Sequence, residues 1–305
     1  MTALQNLSDD LAAVVAKVGP SLVAVHARRR IPASGLLWRP DVVVTNHHVL
    51  QREDGITVTL ADGTTLGATL AGRDPSTDIA VLRLERAVTS PVFTPGGEAR
   101  VGQLVLALGM PGPTVTAALG VVSAAGGEWR TWSGGRIDRY LRLDVAVYDG
   151  FSGGALASAA GDVLGMNSSG LSRAAAMTIP ISTVARVAEQ LLKSGHVQRG
   201  YIGLGLQPVR LPSGIAAQLT PAQDVGLMVV SVEDAAPAAT GGVQLGDVIV
   251  AFDGGPVTDP SEMLAQLSGD RVGTTAVLRV VRAGQLTEVR ITIGERPRSK
   301  HRRPA

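Results

Sequence analysis

The apolar positions of the chain change their period along its length. In residues 8–18, Leu11, Val14, Val15 and Val18 share one helical face. Ser8 stands where a cap is needed, Asp9 and Asp10 suit a first turn, and Gly19-Pro20 ends the pattern. From Ser21 to about Ile181, short β-branched runs replace it: Leu22–Val25, Val42–Thr45, Ile56–Leu60, Ile79–Leu84, Leu104–Leu108 and Val163–Met166. Turn pairs such as Asp62-Gly63 and Gly161-Asp162 lie between them. Many short strands over about 160 residues predict two small β-barrels rather than one sandwich. A helix is predicted over 183–194 from the stripe Val184, Val187, Ala188, Leu191 and Leu192, with Ser182 as cap and Gly195 past the end.

Beyond a short linker at 196–200, the pattern is mixed. Asp259-Pro260-Ser261-Glu262 specifies a helix start, and Val277–Val281 with Val289–Ile293 form a hairpin across Ala283-Gly284-Gln285. The expected organisation is an N-terminal helical segment at 1–20, an all-β domain at 21–195, the linker, a mixed α+β domain at 201–296 and a basic disordered tail at 297–305.

Composition narrows the chemistry. The chain has 305 residues, 45% of them hydrophobic, and only 3% aromatic, so its cores are aliphatic. It has no cysteine, which removes disulfides, thiol nucleophiles and cysteine-ligated zinc. Its five histidines show no HExxH spacing, so neither a metal nor another cofactor is expected. The net charge of +2 owes its sign to Arg296, Arg298, Lys300, Arg302 and Arg303; the tail reads as a solvated terminus, without a nucleic-acid partner. No run reaches the ~18–20 apolar residues of a membrane span. If Met1 is the native start, Asp9 and Asp10 interrupt any signal segment and a cytoplasmic location is expected; a trimmed chain would be periplasmic or extracellular.

The densest chemical signal is Asp149-Gly150-Phe151-Ser152-Gly153-Gly154. A serine flanked by glycines sits in a tight turn whose N–H groups can hold an oxyanion, and the freedom of Gly150 brings its N–H beside that of Ser152. An α/β-hydrolase would place a helix after the serine and its histidine later still. Here Ala155–Ala157, Gly161-Asp162 and Val163–Met166 read as strand, turn, strand, and only His196 and His301 follow. That leaves an esterase of this kind without support. Upstream, the strand Val42–Thr45 delivers His47 and His48, either of which could take the serine proton. Between base and nucleophile, Asp78 precedes a buried strand and can orient an imidazole; Asp74, before Pro75, starts a turn.

The motifs T-N-x-H-V at Thr45–Val49, D-P-x-T-D-I-A-V-L at Asp74–Leu82 and G-x-S-G-G-x-L at Gly150–Leu156 resemble the HtrA (high-temperature-requirement) family of trypsin-like serine proteases. The resemblance continues through Thr178–Ile181 and Arg199–Gly203 into Gly226–Val232, Ala236–Ala238, Gly246–Ile249 and Gly294–Pro297, which are similar to a PDZ domain. It implies an all-β two-barrel chymotrypsin-like protease domain followed by a mixed α+β PDZ domain. It implies the triad His48, Asp78 and Ser152, with the amides of Gly150 and Ser152 as the oxyanion hole. Ala146 and Val147 would floor the substrate pocket, with Asn167–Leu171 as another wall and Asn167 and Ser168 as its pocket residues. Tyr201, Ile202, Gly203 and Leu204 would form the loop that holds a peptide carboxylate.

The implied partners are unfolded proteins or peptides and peptide C-termini, in a homo-oligomer, a trimer by resemblance. Residues 1–30 nevertheless lack the aromatics through which family trimers often interlock, and the loop Arg28–Ser34 is short. The family's usual Asn before the nucleophile and Pro after the glycine pair are Phe151 and Ala155 here, and Phe151 is expected to alter the lining near the hole. The implied activity is ATP-independent endopeptidase action on unfolded or damaged protein; the alternative is a proteolytically silent scaffold or chaperone.

Overall fold

The computed structural model describes residues 2–89, 92–172, 175–267 and 269–296. The basic tail expected at 297–305 lies outside the described residues. By its internal contacts the chain divides into two units, one ending at Val197 and the other beginning at Gln198.

The first unit opens with helix α1, Ala3–Val18. It starts earlier than the sequence predicted. The Thr2 hydroxyl accepts the Gln5 amide, and the Gln5 side chain accepts the Thr2 amide, a reciprocal cap that takes precedence over Ser8. Asp9 and Asp10 therefore sit in mid-helix rather than in its first turn.

Strands β1 (Leu22–His26), β2 (Ala33–Arg39), β3 (Val42–Thr45), β4 (Ile56–Leu60), β5 (Thr65–Asp74) and β6 (Ile79–Leu84) close into a barrel in the order 1-2-3-6-5-4. The next strands are β7 (Leu104–Gly109), β8 (Thr116–Ala125), β9 (Trp129–Arg130), β10 (Arg136–Ile137), β11 (Leu141–Asp144), β12 (Ala155–Ser158), β13 (Val163–Ser168) and β14 (Ala176–Pro180). Of these, β9 and β10 pair as a separate ribbon; the rest close a second barrel in the order 11-14-13-12-7-8. Every β-branched run singled out in the sequence lies in one of these strands.

Helix α2, Ile181–Ser194, follows β14 with no loop between them. Pro180 occupies the cap position, so Ser182 falls inside the first turn instead of capping it. Val184, Val187, Ala188 and Leu191 are buried in the core that also holds Val14 and Val18 of α1 and Leu36, Leu108 and Met166 of the two barrels. Gly195 ends the helix at φ +75°, a conformation that favours glycine.

The second unit is built on a sheet of β16 (Leu204–Arg210), β17 (Val225–Val232), β18 (Val248–Phe252), β20 (Thr275–Arg282) and β21 (Gln285–Thr292) in that spatial order. Strand β15 (Gly200–Tyr201) pairs with β22 (Gly294–Glu295), and β19 (Gly255–Pro256) adds to β18. Short helices α3 (Ser213–Ala216) and α4 (Pro237–Thr240) and helix α5 (Pro260–Gln266) complete it. The Asp259 cap and its Glu262 partner form as the sequence predicted. Among the described residues, no helix is long and apolar enough to cross a membrane.

Asp247 is 2% exposed and acts within the fold. Its carboxylate accepts the Gln244 amide at 2.8 Å and both Nε and a terminal nitrogen of Arg282, at 2.8 and 2.7 Å. Burial works against this charge, yet the guanidinium and the amide outweigh it and hold the carboxyl below the usual carboxylate range. The stabilisation is therefore complete above the unfolded aspartate value of about 3.9 and is lost as the pH falls through the lower folded value. Asp247→Asn should cost the second unit about 2–3 kcal/mol near neutrality, somewhat less than a fully buried pair, because Arg282 is partly exposed. Its stability should also lose part of its fall below about pH 4. Amide exchange of β20, followed against pH in both proteins, checks this.

Candidate active site

Strand β3 runs directly into Asn46, His47 and His48. Each side chain or amide of this turn has a defined task. The Thr45 hydroxyl donates to the Ser34 carbonyl at 2.7 Å. The Asn46 side-chain amide and the His47 N–H both donate to the Asp78 carbonyl, at 3.0 and 3.1 Å. Asp78 lies at φ +58°, a left-handed conformation that aspartate tolerates better than most residues. The preceding turn prepares it: the buried Asp74 carboxylate accepts the Ser76 amide and hydroxyl and the Thr77 hydroxyl. Asp74 is thus a turn residue, as read from the sequence.

With its backbone fixed, the Asp78 carboxylate faces His48. It accepts the His48 N–H at 3.0 Å and lies 2.8–2.9 Å from Nδ1. A third donor, the Ser168 hydroxyl, reaches it at 2.6 Å. An ionised carboxylate only accepts, so Nδ1 carries the proton and Nε2 is left as the acceptor. The imidazole is 31% exposed and the carboxylate 5%. Of the two histidines, His48 therefore meets the acid with its ring.

The Ser152 loop belongs to the second barrel. Gly150 at φ +95° and Gly153 at φ +90° make the turn. A side chain at Gly153 would collide with the Ser34 carbonyl at 2.0 Å, and one at Gly150 with Pro111 at 2.4 Å. Among the described residues, no hydrogen bond consumes the Gly150 or Ser152 amide, so both remain available as donors.

Phe151, expected near the hole, is instead fully buried. Its ring packs edge-on against Tyr148 at 5.6 Å and abuts Gly109, where a Cβ would come within 2.8 Å of it. Its apolar ring is better placed in the core, and it anchors the loop from beneath.

The sequence reading missed Ser34. Its hydroxyl donates to the Gly150 carbonyl at 2.6 Å and accepts the Met110 amide at 2.7 Å, while its own amide donates to the Ser152 carbonyl at 3.0 Å. The only signal was a polar residue inside the apolar run that becomes β2.

Asn167 and Ser168, expected on a pocket wall, turn their side chains inward. Asn167 donates to the Ala155 carbonyl at 2.7 Å and accepts from Thr178, and Ser168 is committed to Asp78. Both are buried polar groups, and such groups need internal partners. Ala146 is exposed and Val147 half-buried on the approach to the loop.

A further hydroxyl, inside the expected wall segment Asn167–Leu171 but given no role of its own there, stands at the centre. Ser152 Oγ lies 2.9 Å from Ser169 Oγ and accepts the Ser169 amide at 3.3 Å; Ser169 Oγ lies 3.3 Å from His48 Nε2.

In the second unit, the Gly203 carbonyl accepts the Glu233 amide and the Ile202 carbonyl accepts the Ala238 amide, each at 2.9 Å. Gly203 sits at φ +76°, where a Cβ would strike Ala236 at 2.2 Å. Its carbonyls thus spent, the loop keeps the Ile202 and Gly203 amides undonated among the described residues. The Tyr201 hydroxyl donates to Glu233, a bond that makes the phenol harder to ionise. Leu204 begins β16, an edge of the sheet.

Comparison with known proteins follows the same division. A trypsin-like peptidase domain model matches residues 33–166 and a PDZ domain model matches residues 200–293. A DegP-like periplasmic serine endoprotease of Brucella suis is 40% identical over 287 residues, covering 90% of this chain and 55% of its own length. The chain thus spans about half the length of the curated relatives it matches. Among solved structures, the serine endoprotease from Yersinia pestis superposes with a TM-score of 0.76 at 30% identity, covering 94% of this chain and 98% of its own. The HtrA-type protease AlgW, solved with a decapeptide, gives a TM-score of 0.76 at 28% identity, covering 94% and 99%. Barrels, motifs and matched relatives agree, and the chain belongs to the HtrA-type serine proteases, with a trypsin-like peptidase domain followed by a PDZ domain.

Proposed function

We propose that the chain is an endopeptidase that hydrolyses unfolded polypeptides without ATP, with Ser152 as nucleophile, His48 as base and Asp78 as the group that orients it. The observation that carries this is the His48–Asp78 pair, whose Nε2 stands one hydroxyl away from Ser152. Ser152 Oγ attacks the peptide carbonyl as its proton passes to Nε2. The resulting oxyanion takes the Gly150 and Ser152 amides, and Asp78 stabilises the imidazolium. Nε2 returns the proton to the leaving amine. Water then repeats the sequence on the acyl-enzyme and releases the acid, so the reaction balances with water alone.

The PDZ unit is proposed to bind peptide C-termini. The Ile202 and Gly203 amides suit a carboxylate, and the peptide would extend β16 as an added strand. Trimerisation rests on family resemblance, and a periplasmic location on the names of the relatives.

Three outcomes test this reading. A fluorophosphonate should label wild-type protein but not Ser152→Ala, and casein cleavage should fall by ~10⁴-fold or more in Ser152→Ala and His48→Ala while His47→Ala keeps most of it. An active His48→Ala protein would refute the assignment of the base. Cleavage sites in a denatured protein, mapped by mass spectrometry, should follow Val, Ala or Leu, because Ala146 and Val147 offer no carboxylate to a substrate ammonium. Calorimetry on Ser152→Ala should show a free-acid peptide binding at least ~10-fold more tightly than its C-terminal amide, since the amide removes the charge those N–H groups hold. Equal affinities would remove the carboxylate loop.

A further inference from the structure

The position of Ser169 carries a consequence for the timing of the reaction. A neutral imidazole whose Nδ1–H is given to Asp78 has one acceptor, Nε2, with one lone pair in the ring plane. Ser169 Oγ stands 3.3 Å from that atom, and its hydroxyl is the donor. Its lone pairs then face Ser152 Oγ at 2.9 Å, so the nucleophile's hydrogen points to Ser169. The Ser169 amide takes a lone pair of the same nucleophile at 3.3 Å. Two hydroxyls cannot share one lone pair, and Ser152 cannot give its proton directly to His48 while Ser169 holds Nε2.

We infer that Ser169 is a positioning residue that acts as a brake: in the resting site its hydroxyl keeps Ser152 apart from its base, and its rotation toward solvent lets the two meet. This inference rests on the triad assignment above. The neighbours of Ser169 allow such a motion. The Ser168 hydroxyl is bound to Asp78 and accepts the Gly170 amide at 3.0 Å. The Gly170 backbone lies so close to the histidine–aspartate pair that a Cβ there would meet His48 Nδ1 and Asp78 Oδ2 at 2.7 Å. The main chain is therefore held on both sides of Ser169. Ser169 itself is exposed, and its side chain can turn to water without moving that backbone.

The test is the second-order rate at which a fluorophosphonate modifies Ser152 in the full chain. Ser169→Ala should react about 3- to 10-fold faster, the effect of removing one competing hydrogen bond. Ser169→Thr, which restores a hydroxyl, should return the rate to the wild-type value. With a peptide substrate the gain should appear in kcat and leave KM unchanged, a split that a loosened fold would not produce. An unchanged rate in Ser169→Ala overturns the brake. A slower rate overturns it too, because the hydroxyl would then be passing the proton onward. In both cases wild-type labelling at Ser152 leaves the protease assignment standing; absence of labelling in every variant refutes that assignment and the brake with it.

Discussion

The proposed catalytic arrangement depends on the seam between the two barrels, and one residue closes that seam. His48 and Asp78 belong to the first barrel and Ser152 to the second, so neither barrel can hold the site alone. Ser34, on β2, gives its amide to the Ser152 carbonyl and its hydroxyl to the Gly150 carbonyl. Its own carbonyl is held by Thr45, the last residue of the strand that delivers the histidine. A single residue thereby fixes the Ser152 loop relative to His48. Its hydroxyl is fully buried and uses its proton and a lone pair on two backbone groups, each of which would cost ~1–3 kcal/mol if left without a partner. Gly153 must be glycine for the same seam to close, because a Cβ there would come within 2.0 Å of the Ser34 carbonyl oxygen.

Below that seam, the acid is placed through its backbone. The Asp78 carbonyl takes two donors from the residues just before His48, and its left-handed conformation turns the carboxylate toward the His48 amide and ring. Thr45, Asn46 and His48 of the first motif and Asp74 and Asp78 of the second therefore form one network. Losing the Asn46 side chain would remove one of the two donors that hold the left-handed residue on which the carboxylate stands.

Much of this was legible in the sequence because short-range chemistry dictates it. Val42–Thr45 and Ile79–Leu84 are buried, β-branched and bounded by turns, and they became β3 and β6. The Asp259 helix start also depends on neighbours within three residues. By contrast, β8 carries two alanines and a glycine in its first five residues, so its strand character comes from pairing with β7 and β11. The start of α1 was misplaced because Ser8 and Thr2 are both competent caps, and only Thr2 has Gln5 to answer it. Phe151 was read from its place beside the nucleophile, but the space under Gly109, more than forty positions away, decides where its ring goes. Ser34 and Ser169 are ordinary serines by composition. Their tasks arise only when strands distant in sequence bring a carbonyl, a ring nitrogen or another hydroxyl to them.

The edge strand β16 has a further consequence. Leu211 N–H donates to the Asp224 carbonyl, and the alternation of an antiparallel ladder turns Pro208 to the open side. Proline has no N–H, so a guest strand finds a donor missing partway along β16. The edge can admit a short ending of another chain but offers no continuous ladder to a second copy of itself. An unpaired edge strand is also a route to self-association, and Pro208 narrows that route.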